Sequence, residues 1–492
     1  MADVAAGQAL PVRLAGPSGF SAKDAVSWGV AIGFAAFVAG LLAHGSGHIA
    51  ESVFPAAALL VGGILYFQHP TLYLGFTWWL WFLAPEVRRI VDYQIGWNPI
   101  SPVMIAPYLV AGVAALTLLR CLPQLLKLPR LFPFLLILMG LNYGYTIGLV
   151  RAGPLAATYG LLTWVVPVVF GLHVAAHWQQ YPLYRDAIQR VFLWGVLAMG
   201  IYGIVQFLVL PPWDAYWMEA SQMTSVRRYD GQGSYSARVW STMNSPQPFA
   251  LVMMAGLLFA FAARGPLRFI AGVPGYVSLL LSLVRTAWLG WAIGAVFLLA
   301  RARGVQKMKL LMVGFIVGLL SLPLLLLEPV AEVVTGRLGS MQKLEEDGSY
   351  RARLQLYGSF ILASSTNVVG QGIGSTNLAT KLANDGDLGK FAIIDSGLLE
   401  TMFVLGWPGT MLYLGGLGWL LSVALSGRAQ RSDLAAQAAG SIVLATLAMT
   451  TSYNTLIGVG GMVFWSFLGL MLSARMFQRA AMPGIGRARR SA

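Results

Sequence analysis

Apolar runs close to 20 residues long recur from one end of this chain to the other, and a run of that length is what an α-helix needs to cross the hydrocarbon of a bilayer. They fall at about 26–43, 51–67, 103–120, 131–150, 155–175, 191–210, 247–263, 267–283, 308–327, 396–424, 434–452 and 457–477, with shorter ones at about 70–84 and 286–301. Lipid offers no partner for a backbone N–H or C=O, so such runs become helices, which satisfy those groups internally. Roughly 14 spans follow, or 12 if the short runs re-enter or merge. At 57% hydrophobic and 11% charged, against a usual ~25% charged, the chain falls outside the soluble globular class. The expected fold is an all-α polytopic membrane protein with about 12–14 transmembrane helices and a large, partly helical loop on the outer face.

Basic residues set the orientation. Residues 1–25 carry Arg13 and Lys23 as their only basic groups, and the apolar run from Val26 comes too late for an ordinary cleaved signal peptide, so it reads as a first span behind a short tail. With that tail inside, the inner segments carry about 20 of the 33 Lys and Arg and about 4 of the 19 acids. The formal charge of +14 is therefore a topology signal. Nucleic-acid binding would require the charge on one domain with aromatic residues interleaved, and the terminal Arg487, Arg489 and Arg490 read as contacts to anionic lipid. The organisation expected is an inner tail at 1–25, spans over 26–327 with an outer loop at 211–246, a large outer loop at 328–395, spans over 396–477 and a basic inner tail at 478–492.

The stretch from Glu328 to Glu400 is the longest polar interruption, roughly 70 residues where connections usually take about 4–6. Asp347, Gly348 and Ser349 signal a helix start, and Tyr350, Leu354, Tyr357 and Ile361 share one apolar face at helical spacing. Gly370-x-Gly372-x-Gly374 is not a dinucleotide fingerprint, because no strand precedes it; these glycines read as a tight backbone path beside a helix end. Asp385-Gly386-Asp387 looks like the Asp-x-Asp metal motif of sugar-nucleotide glycosyltransferases, but nucleotide sugars are cytosolic and this loop is placed outside, which favours a solvated turn. His173 and His177 share a helix face without an acidic ligand nearby and read as interfacial anchors. The single cysteine, Cys121, reads as lying at a helix end; no disulfide framework, metal or cofactor is expected.

Arginines on the outer face run against the positive-inside tendency, so each needs a local partner or a ligand. Arg88, Arg89, Arg151, Arg227, Arg228, Arg238, Arg337, Arg351 and Arg353 are in this class. Arg285, between two apolar runs, would be costly unpaired at the edge of the hydrocarbon. One such arginine is accounted for by snorkelling or an ion pair. Several, near three different loops, point to an anionic ligand, and guanidinium forks suit a pyrophosphate. Asp395 sits where the long loop re-enters the membrane, with Glu400 in the next span; a carboxylate there pairs with an outer arginine or acts as a general base.

At these residues the second half of the chain resembles the O-antigen ligase and polysaccharide polymerase superfamily. The segment Arg238-Val239-Trp240-Ser241-Thr242, followed by Asn244, Pro246 and Ala250, is similar to one that opens a span in that family. Ser282-Leu283-Val284-Arg285-Thr286-Ala287-Trp288 resembles its Ser-Arg-Gly-Ala-Trp signature, with extra residues between Ser and Arg. Arg353-x-x-x-Tyr357 and Gly370-x-Gly372 look like elements of its large loop, Leu405-Gly406-Trp407-Pro408-Gly409 like its Leu-Gly-x-x-Gly helix, and the Arg88-Arg89 pair has a counterpart in many members. One departure stands out. Where ligases of this family carry a His-Asn pair with a catalytic histidine, this chain reads Ile394-Asp395-Ser396-Gly397.

The resemblance implies a multi-pass protein of the bacterial inner membrane working at the periplasmic face, a metal-independent glycosyltransferase whose partner is an undecaprenyl-pyrophosphate-linked oligosaccharide. The missing histidine favours polymerisation of lipid-linked repeat units for exopolysaccharide, capsule or O-antigen. Arg285, Arg238 and Asp395 are then the candidate catalytic residues, and Arg351, Arg353, Arg88, Arg89, Tyr357 and Glu400 the candidate substrate contacts. A repeat-unit flippase and a chain-length regulator are the protein partners such a reading invites. Two alternatives stay open: a ligase that moves finished glycan to lipid A-core or protein, and a transporter of lipid-linked sugars. Transporters tend to show paired repeats and polar sites at mid-membrane, whereas this chain concentrates its polar residues in loops.

Overall fold

Where the sequence carries apolar runs, the chain is helical. The computed structural model describes residues 21–127, 131–223, 226, 237–302, 304–326, 367–384, 387–388, 394, 396–426 and 433–481. The helices are α1 (Ala22–Ala43), α2 (Gly47–Gln68), α3 (Pro70–Ile95), α4 (Ala106–Gly112), α5 (Ala115–Lys127), α6 (Phe132–Arg151), α7 (Pro154–Ala176), α8 (Tyr181–Val209), α9 (Pro212–Ala220), α10 (Pro246–Ala260), α11 (Leu267–Leu281), α12 (Arg285–Arg301), α13 (Val305–Leu325), α14 (Ala379–Ala383), α15 (Gly397–Leu425), α16 (Leu434–Met449) and α17 (Gly458–Ala481). Among the described residues nine helical stretches are long and apolar enough to cross a membrane, and α10, α11 and α16 are shorter apolar helices. The protein is an all-α, multi-pass membrane protein.

Small residues let the helices approach closely, which is how packing is gained where lipid removes the hydrophobic drive between helices. A β-carbon on Gly140 of α6 would lie 2.7 Å from the Gly409 carbonyl of α15, and one on Gly416 would lie 2.7 Å from the Pro133 carbonyl, so α6 and α15 run antiparallel. Pro167 of α7 meets Gly461 of α17, and Ser473 Oγ donates to the Val174 carbonyl at 2.5 Å, so α7 and α17 run parallel. Gly290 of α12 packs on Met449 of α16, and Gly294 on the Ser441 carbonyl, again antiparallel. The end of α6 and the starts of α7, α12, α15 and α17 thus gather at one end of the bundle. That end carries the site.

Three expectations are corrected. The segment carrying Arg88 and Arg89, read as part of the outer face, is not a loop: α3 continues through Pro85 to Ile95, and Arg88, Arg89 and Asp92 are buried, Arg88 paired with Asp92 and Arg89 with Asp214 of α9, so polarity there does not signal a loop. Cys121 lies inside α5 rather than at its end. His173 is buried, not interfacial: Tyr66 Oη and Thr117 Oγ1 are 2.7 Å apart, Thr117 Oγ1 lies 2.7 Å from His173 Nδ1, and Tyr184 Oη lies 3.3 Å from Nε2. A buried polar group must find partners inside the protein, and this chain of bonds ties α2, α5, α7 and α8.

Candidate functional site at one end of the bundle

The glycine segment 370–374 is threaded between α6, α7 and α15. Its three glycines take φ of +88°, +85° and +103°, a region that a β-carbon disfavours. Its course is dictated by a break in α15 at Gly406 (φ 60°, ψ −174°). In an unbroken helix the Val404 carbonyl would accept from residue 408, but Pro408 has no N–H to give. The Gly372 N–H takes that place at 2.9 Å, and the Gln371 N–H donates to the Phe403 carbonyl at 2.8 Å. Trp407 N–H turns to the Val368 carbonyl at 2.9 Å, and Ile373 N–H to Gly144 on α6 at 2.9 Å. Arg151 Nη1, at the end of α6, donates to the Gly370 carbonyl at 2.7 Å. This outer-class arginine has a structural partner. The backbone path beside a helix end that the glycines predicted is present.

Beyond these glycines the chain delivers Thr376 and Asn377 to Glu400, in the first turn of α15. Glu400 is 1% exposed. Thr376 Oγ1 donates to its Oε1 at 2.7 Å, Asn454 Nδ2 to its Oε2 at 2.6 Å, and Asn377 Nδ2 bonds it as well. These three neutral donors, from the stretch after the glycine segment and from the loop between α16 and α17, fasten two stretches of chain to one carboxylate. Desolvation, and then the nearby Glu400 carboxylate, push the Tyr453 hydroxyl up to about 12, so Tyr453 stands beside this knot as a neutral donor. Ser396 caps α15, its Oγ accepting from Leu399 N–H at 3.5 Å, and the Gly397 N–H donates to the Thr450 carbonyl at 2.8 Å. Asp395, between Ile394 and Ser396, lies outside the described residues, as do Arg351, Arg353 and Tyr357.

The arginines form the other half. Arg238 Nε donates to the Ser282 carbonyl at 3.2 Å and Nη2 to the Leu283 carbonyl at 3.3 Å. Leu283 has a φ of +56°, and two residues later Arg285 opens α12, half-buried. The Trp288 Nε1–H closes the junction by donating to the Leu279 carbonyl at 3.1 Å. Arg238 is thus fastened to the turn that leads into Arg285 at the start of α12, where the positive end of the helix dipole adds to the attraction for an anion.

Arg238 is placed from below by Arg89. Arg89 is fully buried: its Nε lies 3.0 Å from Asp214 Oδ1 of α9, Nη2 donates to the Ser241 carbonyl at 2.6 Å, and the same guanidinium bonds Glu86 and the Met243 carbonyl. Gln206 accepts from the Trp240 and Ser241 N–H groups at 3.0 and 2.8 Å. The guanidinium of Arg89 is directed inward onto these groups and holds the 238–243 segment. Arg88 is also buried, paired with Asp92 at 3.3 Å, donating to the Asn98 carbonyl at 2.6 Å and lying over Trp97 and Trp217 at 5.1 and 4.9 Å. Desolvation, then the charge of Arg88, lowers the Lys381 pKa, which places α14 within electrostatic reach of α3.

The two halves adjoin. Gly290 of α12 packs on Met449, and Thr450, the next residue, accepts from Gly397 at the start of α15. Sequence reasoning singled out Arg238, Arg285 and Glu400 but missed Thr376, Asn377, Asn454, Asp214, Gln206 and Lys381. The polar run Thr450-Thr451-Ser452-Tyr453-Asn454-Thr455 between two spans was the available signal for Asn454.

Residues 269–414 match the model of the O-antigen ligase family. Over this segment, about 30% of its length, the chain is similar to the O-antigen ligase family. The matched segment contains Arg285, the glycine segment, Glu400 and the break at Gly406, while Arg238, Arg89 and Asn454 lie beyond it. A comparison with curated proteins gives no match. The similarity supports a membrane enzyme of the glycan ligase and polymerase type, with a lipid-linked glycan as its substrate class.

Proposed function

We propose that the protein polymerises undecaprenyl-pyrophosphate-linked oligosaccharide repeat units at the periplasmic face of the bacterial inner membrane. The observation that carries this reading is the attachment of Arg238 to the turn that leads into Arg285 at the start of α12, inside and beside the segment that matches the family. A pyrophosphate leaves readily once its charge is held, so an enzyme with two lipid-anchored substrates works by positioning and by charge stabilisation. A sugar hydroxyl of one lipid-linked repeat attacks the anomeric carbon of the growing chain. The bond from that carbon to the phosphate oxygen breaks, the electron pair leaves on the pyrophosphate between Arg285 and Arg238, and the hydroxyl proton passes to a base. Asp395 is assigned that base, because it occupies the place of the ligase histidine. Arg351, Arg353 and Tyr357 are assigned to the glycan, and Glu400, with its buried donors, to holding the loop that brings Asp395 to the site.

The second reading, ligation to lipid A-core or protein, draws on the same family match. The absence of the His-Asn pair stands against it. Purified protein supplied with lipid-linked repeat units as the only glycan separates the two: a ladder of products supports polymerisation, while transfer seen only after lipid A-core or a protein acceptor is added overturns it in favour of ligation.

A further inference from the structure

The end of the bundle opposite the site has a feature that the reaction does not use. Where α6 begins and α15 and α17 end, a shallow crevice is lined by Leu131, Val423, Leu472, Arg475, Met476 and Arg479. Arg475 and Arg479 are one turn apart, so both lie on the face of α17 that borders the crevice. Arg475 Nη1 donates to Ser426 Oγ at 2.7 Å, which holds that side chain across from the end of α15. The plainer account is two snorkelling arginines that complement the helix dipole. It leaves the crevice itself unexplained, an apolar slot with guanidinium groups along one wall. In sequence the neighbouring stretches add Arg130 and Arg428.

We propose that this crevice binds an acidic phospholipid, an acyl chain lying against Leu131, Val423, Leu472 and Met476 and the headgroup phosphate held by Arg475 and Arg479. Guanidinium forks match phosphate oxygens, and an apolar slot beside them suits a phosphate that carries a hydrocarbon tail rather than a free anion. The lipid is not the glycan carrier at the site. Val423 lies more than twenty residues along α15 from Glu400, at most roughly 35 Å at 1.5 Å per residue given the break at Gly406, a span comparable with the thickness of the hydrocarbon layer. A phosphate held here therefore belongs to the other leaflet, which by the distribution of basic residues is the inner one. The inference does not depend on whether the enzyme polymerises or ligates.

The test uses full-length protein exchanged into micelles that contain equal phosphatidylglycerol and phosphatidylcholine, with retained lipid quantified by mass spectrometry. Wild type is expected to retain phosphatidylglycerol several-fold over phosphatidylcholine. Arg475→Gln/Arg479→Gln is expected to lose that preference, and Arg487→Gln/Arg489→Gln, in the basic tail, to keep it. Arg479→Gln alone, at an exposed position where folding is not at stake, is expected to weaken it. Leu472→Trp, which fills the slot and leaves both arginines, is expected to lower retention too. Unchanged preference in the double variant overturns the site, unchanged retention in Leu472→Trp reduces it to surface charge, and displacement of the bound lipid by polyprenyl pyrophosphate would reassign it to the carrier.

Discussion

Arg89 and Asp214 face each other at 3.0 Å, Nε to Oδ1, with neither side chain exposed to solvent. Two charges are kept out of water at considerable cost, and the return is that the Arg89 guanidinium also bonds the carbonyls of Ser241 and Met243, fixing the strand of chain that presents Arg238.

Removing one member of that pair leaves the other charge buried alone. Arg89→Met and Asp214→Leu are each expected to destabilise the protein by about 3–5 kcal/mol, and the double variant by clearly less than their sum. Thermal unfolding of the purified protein in detergent, compared across the four chains, reads the coupling. Strict additivity would show that the two side chains do not act as a unit.

Arg285→Ala and Arg238→Ala are expected to abolish polymer while expression stays near normal. Arg285→Lys should rescue only in part, because one ammonium cannot replace a two-pronged fork. Arg238 also bonds two carbonyls, so its loss is expected to cost about 1–1.5 kcal/mol of stability, too little to account for complete inactivity. Wild-type polymer from Arg285→Ala would refute the pyrophosphate assignment.

Asp395→Asn is expected to slow polymer formation by something on the order of 10²-fold, a typical general-base contribution, and Asp395→Glu to retain part of the activity. The product ladder from purified enzyme gives the rate. An undiminished ladder would leave Asp395 as an ion-pair partner.

Gly148 and Gly372 pack backbone to backbone, and a β-carbon on either would overlap the other segment. Gly148→Ala and Gly372→Ala are each expected to destabilise by about 1–3 kcal/mol or more, since the obstacle is backbone that cannot swing aside. Gly33→Ala and Gly415→Ala, which meet nothing within 4 Å, serve as controls within about 0.5 kcal/mol of wild type. Equal melting temperatures for all four would contradict the threading of the glycine segment.

Orientation is read from basic residues alone, and single-cysteine labelling in a Cys121→Ser background checks it. A cysteine at position 343 is expected to label from the periplasm in intact inner membrane, and one at position 305 only after permeabilisation. The reverse pattern would remove both the topology and the proposed reaction.

The spans were legible because hydropathy alone decides them: each apolar run has to be helical wherever it crosses lipid. The extension of α3 past Pro85 was not, because Glu86, Arg88, Arg89 and Asp92 read as solvent-facing until Tyr202 of α8, Asp214 of α9 and the pairing of Arg88 with Asp92 are known. The same holds for His173, whose bonds come from α2, α5 and α8. Within the site, the nearness of Arg238 and Arg285 was foreshadowed by short motifs in a fixed order. The Glu400 knot was hidden, since its donors, Thr376, Asn377 and Asn454, come from two separate stretches of small polar residues that carry no charge or spacing to mark them.

The break at Gly406 also bears on how the chain is made. The helical hairpin of α6 and α7 is synthesised long before residues 368–374 emerge, and the groove that it offers, edged by Gly144, Gly148 and Gly160, stays open until they do. At about 5–20 residues per second, some 200 residues correspond to roughly 10–40 seconds of translation. Over that interval the nascent protein presents a membrane-embedded slot awaiting its own later segment, so the order of assembly runs from the outer helices inward to the glycine plug and α15. A chain that stops before the plug would arrive in the membrane with that slot still vacant.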